Sequence, residues 1–189
     1  MSDPTMSDST MSDPTKNPSA SADGEMDPCV AAGVPGPQHE VLTNLEGTWK
    51  AAVSFWMQPG AAPVTSEGRM VCAWILGKRF LEQRYQSNFM GTPFEGRGMF
   101  GHNNVDGRFE GVWADTMSTG MMTEAGSCNA ETQTITMVGR VTNPENKKTM
   151  KKKTVICIAS SKEHTMSMHF CEDGASEYWK CMEITYTRV

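Results

Sequence analysis

The sequence predicts an all-β fold: an antiparallel barrel of eight to ten strands preceded by one short helix. Three observations carry this reading. From Gly47 onward apolar residues recur at every second position over most of the chain, the alternation that sets one strand face on a core and the other in water. Short peptides rich in turn residues separate these stretches, among them QPGAAP, NNVDG, NPEN and EDGAS. No ten-residue helical pattern intervenes, so consecutive strands connect antiparallel, and a closed barrel is favoured over a sandwich, which fits the same alternation, because closure removes unpaired edges.

Residues 1–37 read as a disordered acidic tail. The tail opens MSDPTMSDSTMSDPTK, three copies of a five-residue unit whose Ser, Asp, Thr and Pro content buries too little apolar surface to offset the entropy of ordering it. A five-residue period is shorter than any solenoid unit. Asp3, Asp8, Asp13, Asp23, Glu25 and Asp27 stand against Lys16 alone, so the tail accounts for the whole net charge of −5. A single domain follows over residues 38–189, opening with a helical turn whose apolar side is Val41, Leu42 and Leu45.

Trp49, Ala51, Val53, Phe55 and Met57 then share one face of the first strand. Met70, Cys72, Trp74 and Leu76 repeat the pattern, followed by Leu81, Tyr85 and Phe89. Further strands are expected at 94–101, 108–116, 131–139, 149–159, 164–171 and 176–187. Pairing Gly101 with Arg108 across NNVDG sets Phe100 opposite Phe109, Gly98 opposite Gly111, Gly96 opposite Trp113 and Phe94 opposite Asp115. Pairing Cys171 with Glu177 sets Phe170 opposite Tyr178, Met168 opposite Lys180 and Met166 opposite Met182.

The segments HEVLTNLEGTW, PFEGRGMFGHNN…GRFEGVWADTMST and CMEITYTRV together resemble the DUF1579 family of uncharacterised bacterial proteins over residues 38–189. The resemblance implies a calycin-like barrel, related in architecture to lipocalins and fatty-acid-binding proteins, and implies no reaction. Gly47-Thr48-Trp49 also resembles the Gly-x-Trp start of lipocalin-like chains, whose tryptophan meets a basic residue of the last strand; Arg188 is the residue that fits here.

Function is expected inside the barrel: binding of a small apolar or amphipathic ligand, lined by Trp49, Phe55, Trp74, Tyr85, Phe94, Trp113, Met166, Tyr178 and Met182. Gly98 and Gly111 either permit tight curvature or leave ligand volume. Asp115 faces inward at a strand end, where it either orients a ligand or caps the TMSTG turn. Two alternatives stand beside this reading: a filled, self-associating barrel forming a homo-oligomer through exposed Trp56 and Trp179, and an enzyme acting on a small apolar compound. A cavity above about 300 Å³ favours binding over the filled barrel.

Other chemistry is set aside. Outside the tail, acids and bases number 16 each, so no field draws in nucleic acid or anionic lipid. Lys147, Lys148, Lys151, Lys152 and Lys153 read as a solvated turn. No long apolar run or secretory signal is present, so no membrane insertion and a cytoplasmic location are expected. The six cysteines form no C-x-x-C pair and read as free, mostly buried thiols. His164 and His169 face opposite sides of one strand, His39 and His102 lie in loops without partners, and no metal or cofactor is expected.

Overall fold

A computed structural model describes residues 26–189. Two helical turns, α1 (Pro28–Ala32) and α2 (Pro37–Thr43), precede ten strands. These are β1 (Gly47–Phe55), β2 (Val64–Ile75), β3 (Phe80–Phe89), β4 (Thr92–Asn103), β5 (Arg108–Asp115), β6 (Met122–Asn129), β7 (Thr134–Thr142), β8 (Thr149–Ser160), β9 (Glu163–Glu172) and β10 (Trp179–Arg188). Each strand pairs antiparallel with the next, and β1 pairs with β10 to close the barrel. The pentapeptide repeats of the tail lie outside the described residues.

The described residues ahead of α2 form a helical turn held to the barrel. The Asp27 carboxylate accepts from the Cys29 and Val30 amides at 2.7 and 3.3 Å and starts α1. Asn104 donates to the Ala32 and Val34 carbonyls at 3.2 and 2.8 Å, tying this segment to the β4–β5 turn. Pro37 opens α2, and His39 reaches back so that its Nδ1 accepts from the Gly36 amide at 3.1 Å. His39 is therefore a helix residue and not a loop one. Its ring meets that of His102, in β4, edge to face at 5.8 Å.

Both expected hairpin registers are corrected. At β4–β5 the partners are Asn103 and Arg108, Phe100 and Gly111, Gly98 and Trp113, and Gly96 and Asp115. The cause is a tighter turn: the Asn103 side chain accepts from the Val105 and Asp106 amides, and Gly107 takes a positive φ of 64°. The shift is two residues, so every side chain keeps its expected face. At β9–β10, Phe170 faces Trp179, and a bulge between Lys180 and Met182 brings Met182 opposite Met168. Leu76 leaves the inner face of β2 for the following turn, with φ of 49° and 66% exposure.

One end of the barrel is plugged. Leu42 of α2 and Leu45 just after it are buried in one core cluster with Leu81, Phe100, Phe109, Ile135 and Ile158. Trp49 is fully buried there, its Nε1 donating to the Leu45 carbonyl at 2.9 Å, and Arg188 lies over its ring at 4.2 Å. The guanidinium also donates to the Glu46 and Asn44 carbonyls at 2.7 and 3.2 Å and to that of Ser161. Gly47 makes this possible, because its φ of 123° strains any side chain and a Cβ there would collide with Arg188.

Candidate functional site

Inward side chains of the strands enclose a cavity of about 360 Å³. Apolar groups dominate its wall, with Phe55, Tyr85, Phe94, Trp113, Met137 and Met166 among them. Met117 both lines the cavity and is 65% exposed, so the space opens toward the β5–β6 turn, opposite the plugged end. Such a volume lies within the range that takes small molecules.

The candidate residues divide. Phe55, Tyr85, Phe94, Gly111, Trp113, Asp115, Met166 and Met182 line the cavity. Trp49 lies beyond its floor in the plugged end, and Trp74 packs against the core there. Gly98 does not leave a vacancy: a Cβ at Gly98 would meet both the Trp113 ring and Gln83, and one at Gly96 would also run into that indole. The glycines of β4 seat Trp113. Tyr178 precedes β10 and sits under the Lys153 ammonium at 4.4 Å, on the outer side. The unexpected register of this hairpin removes it from the interior.

Asp115 serves the protein with both oxygens. Oδ2 accepts from Trp113 Nε1 at 2.8 Å, and Oδ1 accepts from the Met117 amide at 2.9 Å. It is thus the turn cap considered above and also the brace that holds an indole in the cavity wall.

A polar cluster in the wall was missed. Lys152 Nζ lies 2.6 Å from Glu124 Oε2, the two side chains being 7% and 13% exposed, and Thr154 Oγ1 donates to the same oxygen at 2.8 Å. All three line the cavity. The run of lysines is therefore not a solvated turn throughout: Lys151–Lys153 belong to β8, and Lys152 points inward.

Glycines make room for the cluster. Across the sheet Gly111 pairs with Glu124, Glu124 with Gly139, and Gly139 with Lys152. The ion pair spans Gly139, where a Cβ would collide with the Thr123 carbonyl and crowd the Glu124 side chain. Gly111 leaves space on the other flank, where the atoms nearest an added Cβ belong to Glu124 and Phe100 and lie at ordinary contact distance, 3.6 Å or more. The one detectable signal was the parity of Lys152 with Thr154 and Ile156, whereas Glu124 lies on β6, a strand absent from the expected set.

His164 occupies the floor, stacked on Tyr186 at 4.5 Å and edge-on to Trp49 at 4.4 Å. Burial, then the charge of Arg188, lowers its pKa to about 4, so the ring is neutral at pH 7, and its buried Nδ1 has no partner among the described residues. Burial also pushes the Cys72 thiol up to about 12, leaving it protonated and unreactive as a nucleophile. The six cysteines are free, but only Cys72, Cys171 and Cys181 are buried; Cys29 and Cys157 are exposed. Trp56 and Trp179 are half-buried, corrected from exposed: Lys180 covers the Trp56 ring at 5.0 Å and Phe170 meets Trp179 at 6.1 Å.

A family model described as a protein of unknown function, DUF1579, matches residues 34–188. No curated protein matches the chain. The crystal structure of Rv2717c from M. tuberculosis is similar at a TM-score of 0.59 and 18% identity, covering 82% of this chain and 99% of that one. A protein of unknown function from the DUF3598 family of Nostoc punctiforme PCC 73102 aligns over 82% of this chain and 100% of its own at 7% identity, with a TM-score of 0.26. The first of these likenesses shows a shared fold alone.

Proposed function

We propose that this chain, which belongs to the DUF1579 family, holds a small apolar or amphipathic molecule inside a calycin-like barrel in the cytoplasm. The observation that carries the reading is the cavity of about 360 Å³, walled by aromatic and methionine side chains and open at one end. Methionine side chains adapt to irregular partners, which suits a wall that closes on a ligand. A filled barrel would have no such volume, because interiors otherwise pack to crystal density. Free thiols accord with a reducing compartment. Among the described residues no helix is long and apolar enough to cross a membrane.

Two measurements test it. Mass spectrometry of the denatured protein identifies co-purifying small molecules, and a neutral apolar fluorophore such as N-phenyl-1-naphthylamine is titrated into wild type and Gly111→Leu. The added side chain projects from an open position into the cavity. Saturable binding to wild type that weakens at least tenfold in a folded Gly111→Leu protein is expected, since about 1.4 kcal/mol of lost contact suffices. Equal binding by the two proteins would remove the cavity as the site.

A further inference from the structure

We propose that Glu124, Lys152 and Thr154 form a head-group site that selects a neutral ligand carrying a donor and an acceptor side by side, with a primary amide as its chemical class. This rests on the cavity-binding reading above and assigns the site its specificity.

The cluster is built but not saturated. Glu124 Oε2 takes both of the cluster's bonds, and Oε1 accepts none from the described residues. The ideal Cβ position at Gly111 lies 3.9 Å from Oε1, so the vacancy at that glycine is beside an open acceptor. Lys152 uses one of its three protons on Glu124, within the described residues. A group seated over Gly111 can donate to Oε1 while its carbonyl accepts from Lys152. An amide does both with one planar unit.

Charge decides against the alternatives. The charged groups lining the cavity are Lys152, Glu124 and Asp115. Lys152 and Glu124 cancel, and each Asp115 oxygen already accepts one bond from the protein, one of them bracing the indole in the wall. A carboxylate entering toward Lys152 meets Glu124 beside it and gives up its hydration without a free counter-charge. An ammonium that donates to Glu124 Oε1 lies beside the Lys152 ammonium, whose like charge opposes it. A neutral amide pays a far smaller desolvation cost and gains two bonds to charged partners.

The test is displacement of the bound fluorophore from the full chain at pH 7 by four hexyl compounds: hexanamide, hexanoate, hexylamine and hexane. Hexanamide is expected to bind at least about tenfold more tightly than each of the others, the effect of one charge-assisted hydrogen bond. In Glu124→Leu/Lys152→Met the advantage over hexane should vanish while hexane binding persists. Replacing a buried pair by apolar groups of similar size is commonly tolerated, and Glu124→Gln, which keeps shape but loses an acceptor, serves if the double variant does not fold.

Tighter binding of hexanoate, or an amide preference that survives in the variants, would overturn the head-group site. A preference for hexylamine that Asp115→Asn abolishes would move the anchor to Asp115 and likewise overturn it. Equal binding of hexane and hexanamide would overturn it while leaving the cavity reading intact. Failure of the fluorophore itself to bind would remove both.

Discussion

His164 shows how far a single side chain is altered by its surroundings. Its ring is enclosed by Trp49 and Tyr186 and its pKa is lowered to about 4 by burial, with Arg188 second. As pH falls, the unfolded chain takes up the proton first, so stability present above about pH 6.5 is lost as pH drops toward 4. Between pH 7 and pH 5 the loss from this residue is about 2 kcal/mol. Urea midpoints at the two pH values should therefore separate less in His164→Phe than in wild type. His39 and His169 are lowered as well, but both proteins contain them, so the difference reports His164. Asp115 gives the second residue-level expectation. Asp115→Ala releases the Trp113 indole and the Met117 amide together and should cost about 1–3 kcal/mol without any ligand. Asp115→Asn keeps one acceptor and should cost less; equal midpoints for wild type and Asp115→Ala would refute the brace. The inward parity of Asp115 was legible in the sequence. So was its capping of the TMSTG turn, whereas its bond to the Trp113 indole was not, because alternation gives a shared face and not a side-chain contact.

Strand β6 marks the boundary of what periodicity can reveal. Most other strands carry apolar residues at alternate positions, and alternation is visible in a one-dimensional string. The inner face of β6 instead runs Met122, Glu124, Gly126 and Cys128, so the pattern breaks at the carboxylate and the glycine. Gly126 is required there, since a Cβ would drive into the Thr136 carbonyl and the Met137 backbone of β7. The same strand supplies Glu124, so the element missed and the cluster missed have one cause. Lys152→Met alone should destabilise by about 3–5 kcal/mol, because it leaves a nearly buried carboxylate without its counter-charge. Adding Glu124→Leu should recover most of that loss. Denaturant unfolding of the two variants checks this, and a double variant no more stable than the single one would contradict the pairing.

On the scale of the molecule, the barrel is closed at the β1–β10 seam and plugged beneath it by α2. Trp49→Ala should cost about 3–5 kcal/mol, since it empties a fully buried site and leaves Arg188 without its aromatic partner. Trp56→Ala, at a half-buried position, should cost less; denaturation midpoints in the reverse order would count against this closure. The all-β class was legible in alternation and closure was favoured because it removes sheet edges, whereas the Trp49–Arg188 contact was expected from the resemblance of Gly47-Thr48-Trp49 to the start of lipocalin-like chains. A cavity was not, since whether inward side chains fill a barrel depends on which face one another across it. Methionines now report on that interior. Met137, Met166, Met168 and Met182 line the cavity, whereas Met26, Met57 and Met90 are exposed and lie outside its lining. The most direct measurement is a methyl NMR titration of methionine-labelled protein with hexanamide. Saturable shifts at these four lining methyls, with those of Met26, Met57 and Met90 unmoved, are predicted. Unmoved lining methyls at saturating hexanamide, or shifts confined to the exposed ones, would contradict an internal binding site.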